Sequence, residues 1–470
     1  MPEPPQTQPE AITPAFDHGE RETLREALED ETKEFTPPAS RQSKLAIAVR
    51  ALRHRNFQLF FAGQLISLIG TWMQTVAQSW LVYRMTGSAL LLGTVGFASQ
   101  IPVFLCAPVG GIVADRHNRQ HVVITTQTAS MILAGILAAL TLSGRVQVWH
   151  IMVLAALLGV VNAFDIPARQ SFLIDMVGRE DLMNAIALNS SMFNGARIIG
   201  PAIAGILVAS IGEGWCFFAN SVSYIAVIIG LLLMRIVRPG KLAREGSPLQ
   251  NILEGFAFAK NTTPIRAILL LLGLVSFVGM PYTVLMPVFA DKILHGGARG
   301  LGILMCATGV GALLGAASLA ARVGLRGLGR LIAICAAGFG LSLVLFSFST
   351  IFWLSTVLLV PVGFCMMVQM ASSNTLIQAM VPDQLRGRVM SVYSMMFMGM
   401  APFGALSAGA VAHHIGAPWA VALGGFACIV GAAFFWTHLP SFRREAHELV
   451  MAQGMMAGTP AQGANSGRLS

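Results

Sequence analysis

Two stretches of the chain share one pattern: residues 190–205 read SSMFNGARIIGPAIAG, and residues 394–409 read SMMFMGMAPFGALSAG. A shift of 204 positions superposes them without a gap and aligns seven identical pairs. Both stretches are apolar with recurring glycines, and small residues let two helices approach closely within a bilayer. The repeat predicts two like-oriented halves that pack across a seam, and the packing residues are Gly195, Gly200, Pro201, Gly205, Gly399, Gly404 and Gly409.

The composition indicates a chain that lies mostly in a membrane. Of its 470 residues, 55% are hydrophobic and 11% are charged, whereas a soluble domain carries about 25% charged residues. The basic residues that give a net charge of +9 are scattered between apolar runs, so we expect no nucleic-acid partner. The six cysteines form no CxxC pair and show no metal-ligand spacing, so we expect packing roles and no metal site.

Apolar runs long enough to cross a bilayer as helices recur twelve times. The predicted fold class is therefore an all-α polytopic membrane protein with 12 transmembrane helices in two six-helix bundles. The predicted domains are a disordered acidic and Pro-rich tail (1–44), a first bundle (45–235), a connector (236–263), a second bundle (264–437) and a tail (438–470). Ten of the 22 acidic residues precede Phe35, and residues 18–34 are compatible with one short helix.

The charges between the spans predict the orientation. With a cytoplasmic N-terminus, 21 Lys and Arg residues fall on the inner side and four on the outer side. Short loops rich in Lys and Arg stay in the cytoplasm. We therefore predict that both termini are cytoplasmic.

The loop between the second and third spans carries Gly111, Asp115, Arg116 and Arg119 in the order GIVADRHNR. This pattern resembles the signature of the major facilitator superfamily, G-x-x-x-D-R/K-x-G-R/K-R/K. Asn118 takes the place of a glycine, and we expect it to replace that glycine in a left-handed turn. The resemblance implies twelve spans in the major facilitator fold and a cytoplasmic latch between the halves at these residues. The alternative is a solvated turn that only sets topology.

Asp165 and Arg169 lie one helical turn apart in AFDIPARQ, toward the end of the fourth span. An acid within a span has a function by default. The expected position at the inner interface favours partnership with the Asp115 latch. Proton carriage by Asp165 is the alternative.

Arg197 is expected deep in the fifth span, roughly 21 Å along the helix axis. A guanidinium at that depth needs an anion, backbone carbonyls or water, so it either attracts an acidic or hydrogen-bond-accepting substrate or is fixed by helix carbonyls. Polar residues of the first span recur on one helical face and predict a lined cavity, with interhelical hydrogen bonding as the alternative. The predicted cavity residues are Gln64, Ser67, Thr71, Gln74, Gln78, Asn194, Arg197, Gln369 and Asn374.

Further motifs narrow the resemblance. The run from Gly200 to Gly205 is similar to the G-P-x-x-G-G element of exporting facilitators. GTWMQ at 70–74, FDIPARQ at 164–170 and VPDQLRGRV at 381–389 together resemble the transmembrane secretion effector branch, which includes the enterobactin exporter.

The resemblance implies a secondary active exporter that works by alternating access on small amphipathic molecules, siderophore-like or drug-like, in exchange for protons. We expect a monomer in the bacterial cytoplasmic (inner) membrane, with the lipid bilayer and a small-molecule substrate as partners. No P-loop is present, so the expected energy source is the proton gradient without a cofactor. The alternatives are a proton-independent facilitator and a non-transporting sensor or scaffold. No catalytic constellation occurs, so we predict that the protein is not an enzyme.

Overall fold

A computed structural model describes residues 50–235, 248–322, 324–325 and 327–456, and residues from Ala51 onward belong to one compact unit. No residue in those ranges forms a β-strand. Twelve helices in this part of the chain are long and apolar enough to cross a membrane, which confirms the predicted fold class. They are α1 (Arg55–Thr86), α2 (Ala89–Arg116), α3 (Arg119–Leu142), α4 (Val148–Val177), α5 (Leu182–Ile211), α6 (Glu213–Leu232), α7 (Thr263–Ile293), α8 (Gly297–Ala320), α9 (Leu328–Ser347), α10 (Phe352–Met380), α11 (Asp383–Ile415) and α12 (Ala417–Met456).

Several boundaries differ from those expected. A connector helix, Pro248–Asn261, lies within the predicted polar connector. Helix α12 continues to Met456, whereas its apolar span ends at Pro440, so the helix extends into the predicted tail (438–470). The predicted N-terminal tail and its short helix lie outside the described residues.

Local sequence explains where the first helices end. Gly87 takes a left-handed conformation (φ 62°) and its N–H bonds the Tyr83 carbonyl, which terminates α1. The Ser88 hydroxyl accepts from the Leu91 N–H and caps α2. Asn118 caps α3 by accepting from the Gln120 N–H, with φ −68°. The expected left-handed turn at Asn118 is therefore wrong, because its side chain serves as an N-cap.

The packing of the first six helices recurs in the last six. Helix α2 packs on α4 and α3 on α6, as α8 packs on α10 and α9 on α12. Across the seam, α5 packs on α8 and α2 on α11. We name the two ends of the bundle after residues at them: the Asp115 end, where α2 is followed by α3, and the Glu213 end, where α1 ends and α6 begins.

Helix α7 departs from regular α-helical geometry at two places. Residues Val275–Gly279 and Phe289–Ile293 form π-helical turns. Pro281 and Pro287 follow and precede these turns and have no N–H for the helical ladder. Such turns often occur at functional sites, and Tyr282 begins the short α-helical segment between them.

Glycines make the closest contacts at the seam. A Cβ on Gly205 would lie 3.0 Å from the Gly302 Cα, and a Cβ on Gly409 would lie 2.9 Å from the Gly93 Cα. Gly399 also meets the opposite half, at the Phe104 ring. Gly200 and Gly404 instead pack within their own halves, against Trp72 and the Phe277 carbonyl, so the predicted contact across the seam is wrong for these two in this structure. Pro201 is buried, and its carbonyl faces Gly302.

Gly195 is different from the other repeat glycines. Nothing lies within 4 Å of the position that its Cβ would take. The packing role predicted for Gly195 is therefore wrong in this structure, because the corresponding face of α5 is open.

Candidate functional site

Arg197 lies half-buried near the middle of α5, at the seam between the halves. Its guanidinium carbon is 5.6 Å from the centre of the Trp72 ring on α1. Phe193, one turn earlier on α5, meets the same indole edge to face, with ring centres 5.6 Å apart. A desolvated cation over an aromatic ring is stabilised by about 2 kcal/mol or more. The ring thus holds the guanidinium in place without neutralising its charge.

Tyr282 brings a polar group to Arg197 from the second half of the chain. Its ring is buried, and its hydroxyl has no hydrogen-bond partner by distance and angle. The hydroxyl is within electrostatic range of the Arg197 guanidinium and near the Thr308 hydroxyl of α8. The backbone of α8 also packs closely against α5 at Arg197, since a Cβ on Gly309 would lie 3.2 Å from the Arg197 carbonyl oxygen.

The Arg197 cluster, defined as Trp72, Arg197, Tyr282 and Thr308, therefore combines side chains from both halves. Within the described ranges, the structure gives Arg197 no ion pair or hydrogen bond. A half-buried cation without an acid and a buried hydroxyl without a hydrogen-bond partner can together receive an anion or another hydrogen-bond acceptor.

Arg197 was predicted from the sequence, whereas Trp72 and Tyr282 were not predicted as its neighbours. The signal for Tyr282 was the pair of prolines that flank it in the seventh span. Asn194, predicted to share the cavity with Arg197, is buried and donates to the Ser190 carbonyl of its own helix at 2.8 Å. Its amide therefore does not extend the cluster.

The predicted cavity residues of α1 are partly hydrogen-bonded to α6. Asn220 Nδ2 donates to Gln74 Oε1 at 2.7 Å, and the Thr71 and Tyr224 hydroxyls are 3.3 Å apart. Gln64 and Ser67 are buried, and Gln64 Oε1 has no partner. Thr71 and Gln74 therefore form hydrogen bonds between helices, which was the alternative to a cavity role. Gln78 is half-exposed.

We expect Asn220→Leu to lower the free energy of unfolding by about 1–3 kcal/mol, because Gln74 Oε1 would remain buried without a donor. The double variant Gln74→Leu/Asn220→Leu should recover most of that loss. Thermal unfolding in detergent measures both. Cargo affinity should stay the same, and a change in it would show instead that this pair faces the cargo.

The predicted polar residues of α10 are also mostly bonded within the second half. Asn374 Oδ1 accepts from Gln378 Nε2 at 2.6 Å. Gln369 is buried, and its Nε2 has no partner. A shift of 204 places Gln369 on Asp165 of the first half.

The predicted latch residues do not join the two halves in this structure. Asp115 and Arg116 are exposed, and no ion pair is found for either within the described ranges. Arg119 Nη1 instead donates to both oxygens of Asp175 at 3.0 Å, which ties α3 to α4 in the same half. The Cβ position of Gly111 is open. A latch through this loop stays a prediction for another conformation.

Asp165 lies deeper than expected, because α4 continues past Pro167 and Arg169 to Val177. The carboxylate is buried and 3.4 Å from Arg169 Nε. It also accepts from Thr126 Oγ1 at 2.8 Å and Gln127 Nε2 at 2.9 Å. The expected partnership of Asp165 with the Asp115 loop is therefore not found. Its partners are on α3 and its own helix.

The contacts between the halves lie toward the Glu213 end. They run from the Gly93/Gly409 and Gly205/Gly302 contacts to the Phe104 ring against Gly399. The Tyr83 hydroxyl of α1 also lies near the Asp291 carboxylate of α7. Large apolar side chains of α5 are exposed toward both ends, among them Met183 (76%) and Ile211 (54%).

Solved structures resemble this fold. The nucleoside transporter NupG aligns with a TM-score of 0.64 at 16% identity, over 82% of this chain and 98% of its own. A bacterial homologue of the human lysosomal transporter Spinster, in an inward-facing and unoccupied conformation, aligns with a TM-score of 0.64 at 15% identity, over 83% and 98%. These similarities confirm the major facilitator fold.

Curated relatives are similar over most of the chain. The staphyloferrin A transporter of Staphylococcus aureus is 27% identical, over 74% of this chain and 87% of that protein. The multidrug efflux pump Tap of Mycolicibacterium fortuitum is 27% identical over the same shares. The enterobactin exporter EntS of Escherichia coli O9:H4 is 26% identical, over 73% and 81%.

The family model described as transmembrane secretion effector matches residues 46–457. Its relatives are transporters, so the prediction that the protein is not an enzyme is confirmed. With twelve spans, the protein is a multi-pass membrane protein. The chain belongs to the transmembrane secretion effector family of the major facilitator superfamily.

Proposed function

We propose that this protein exports small amphipathic molecules that carry an acidic or hydrogen-bond-accepting group. The observation that carries the proposal is the Arg197 cluster, which places a half-buried guanidinium without an acid at the seam of the two halves. Trp72 adds an aromatic surface for the apolar part of such a molecule. Relatives named as siderophore and drug transporters support both the direction and the class of cargo.

Transport proceeds by alternating access. The close glycine contacts between the halves lie toward the Glu213 end, which supports a state that is closed there and open at the Asp115 end. The excess of Lys and Arg in loops supports placing that end in the cytoplasm. Release then requires the glycine contacts to separate while the Asp115 end closes.

Protons supply the energy by antiport, without a bound cofactor. The protein acts as a monomer in the bacterial cytoplasmic membrane, with both termini in the cytoplasm. The lipid bilayer and the cargo are its partners.

The test uses purified protein in proteoliposomes selected for one orientation, with the Asp115 end outside and an acidic lumen. The probes are a fluorescent naphthalenesulfonate, which keeps its negative charge at all working pH values, and ethidium, an aromatic cation. We expect accumulation of the sulfonate in preference to ethidium, and loss of accumulation when the pH gradient is dissipated.

Three other outcomes of this transport test would contradict parts of the proposed function. An uptake rate that does not change without the gradient would indicate a proton-independent facilitator. Binding of the sulfonate without accumulation would indicate a sensor. Preference for ethidium would contradict the assignment of Arg197 to an anionic group.

A further inference from the structure

We propose that Asp165 is the proton-binding group of this exporter, and that Thr126 and Gln127 stabilise it in both its charged and its neutral form. The proposal rests on the proposed function, since it assigns the residue that couples export to protons. It replaces the expected role of Asp165 in a latch.

The charged form has a complete set of partners. Asp165 Oδ1 accepts from Thr126 Oγ1 and Gln127 Nε2, and Oδ2 faces Arg169 Nε. The charged or titratable groups that the structure places against the carboxylate are Arg169 on the same helix and Tyr224 on α6. From α3 it meets the neutral side chains of Thr126 and Gln127.

The neutral form can be accommodated by the same residues. The Thr126 hydroxyl lies 2.8 Å from Asp165 Oδ1 and 2.9 Å from the Val123 carbonyl, but it has a single hydrogen. If that hydrogen points to Val123, the hydroxyl oxygen can accept the proton of a neutral Asp165. Both arrangements satisfy the buried hydroxyl without moving a helix.

Gln127 provides a second observation that supports proton binding at Asp165. Its side chain is buried, its Nε2 donates to Asp165, and its Oε1 has no partner in the structure. A buried acceptor without a donor is costly. Rotation of the amide would place Oε1 toward a protonated Asp165, whose single proton is then donated to Gln127 as the alternative to Thr126. The site thus holds an unused acceptor where a carboxylic acid would donate.

Proton binding forms one O–H bond on Asp165 and breaks none within the protein; the proton comes from water. The Asp165–Arg169 ion pair is lost in that step. Arg169 can tolerate this loss, because 22% of its side chain is exposed and water can solvate it. Protonation of Asp165 therefore raises the net charge of α4 by one and leaves the Arg169 guanidinium without its ion-pair partner.

A short set of contacts connects this site with the Arg197 cluster. Tyr224 faces Asp165, and its hydroxyl is 3.3 Å from Thr71 Oγ1 on α1. The next residue on α1 is Trp72, which holds Arg197. Protonation of Asp165 thus acts on the helix that also positions the cargo site.

The second half argues against a purely structural need for the charge. Gln369 occupies the repeat-related position, is buried and is neutral. The fold thus accommodates an amide here, and Asp165→Asn should fold.

The experiment compares Asp165→Asn with Asp175→Asn. Asp175 is a matched control because it also lies on α4 and pairs with an arginine of α3 or α4, here Arg119. Infrared difference spectra of the purified protein in lipid, acidic minus alkaline pH, report carboxylic acids that titrate. We expect one carboxylic acid band of the wild type to be missing in Asp165→Asn and present in Asp175→Asn.

Transport provides the second readout. In Asp165→Asn, accumulation of the naphthalenesulfonate driven by the pH gradient should fall at least tenfold, on the order of what loss of a coupling group implies. Exchange of sulfonate across the membrane without a gradient should continue. Asp175→Asn should retain gradient-driven accumulation.

A retained band or retained gradient dependence in Asp165→Asn would overturn the proposal. If the wild type itself shows no gradient dependence, proton antiport fails, while the infrared band still decides whether Asp165 binds a proton. If Asp165→Asn does not fold, Gln127→Leu keeps the acid and should move the pH midpoint of the band. An unmoved midpoint would overturn the role of Gln127.

Discussion

Gly205→Leu is expected to trap the protein with its Glu213 end open and to abolish accumulation of cargo. The Cβ position of Gly205 is 3.0 Å from the Gly302 Cα and 3.1 Å from the Arg299 carbonyl oxygen, so no flexible side chain can make room. Overpacking costs about 1–3 kcal/mol. A bias of that size between two states shifts their ratio by roughly 5- to 150-fold.

Gly195→Leu is the matched control. It adds the same side chain to the same helix at a position where nothing lies within 4 Å. The transport rate of this variant should remain close to that of the wild type, because the added Cβ meets no other atom within 4 Å in this structure.

Labelling of a buried seam residue measures the trapped state. Ala405 is buried on α11, where its carbonyl oxygen would lie 2.5 Å from a Cβ on Gly93. In a variant without the native cysteines, Ala405→Cys should react with a membrane-impermeant maleimide from the Glu213 side much faster when Gly205→Leu is present. Wild-type transport with unchanged labelling would show that the glycine contact does not need to separate.

The span pattern was predictable from sequence because lipid imposes it. Each predicted span corresponds to one helix, since backbone groups in hydrocarbon must be paired within a helix. The exporter resemblance and the family also followed from motifs in the chain, such as the residues around Asp115 and Pro167.

The placement of individual polar groups was less predictable. Asp165 was expected at the interface because the polar run after Pro167 resembled the end of a span, but α4 continues to Val177. Gln74 was expected in a cavity because helical periodicity gives the face of a residue and not its partner, which is Asn220. The partner depends on how helices pack, and that information is spread over the whole chain.

The same limit applies to the glycines and to Tyr282. The repeat gives Gly195 and Gly205 equal weight, yet only Gly205 meets the opposite half. Tyr282 approaches Arg197 from the segment of α7 between the two π-helical turns. Neither result follows from periodicity within one helix.

Arg197→Ala is expected to remove affinity for anionic cargo while the protein remains folded. Loss of one partner of a buried charge pair costs about 2–5 kcal/mol, and the middle of that range is on the order of a hundredfold or more in Kd. Naphthalenesulfonate binding to the purified protein measures the effect, and thermal unfolding measures stability. Arg145→Ala, which removes an exposed charge from a loop at the Glu213 end, should change neither.

Two further substitutions distinguish a binding role from a fixed structural role of Arg197. Arg197→Lys keeps the charge but loses the planar group over Trp72, so affinity should be intermediate. Tyr282→Phe removes a buried hydroxyl that has no hydrogen-bond partner, so it should preserve or raise thermal stability while weakening sulfonate binding. If Arg197 were fixed only for packing, Arg197→Ala would lower stability and leave selectivity between the sulfonate and ethidium unchanged. A guanidinium that receives cargo gives the opposite result: selectivity is lost and the fold persists.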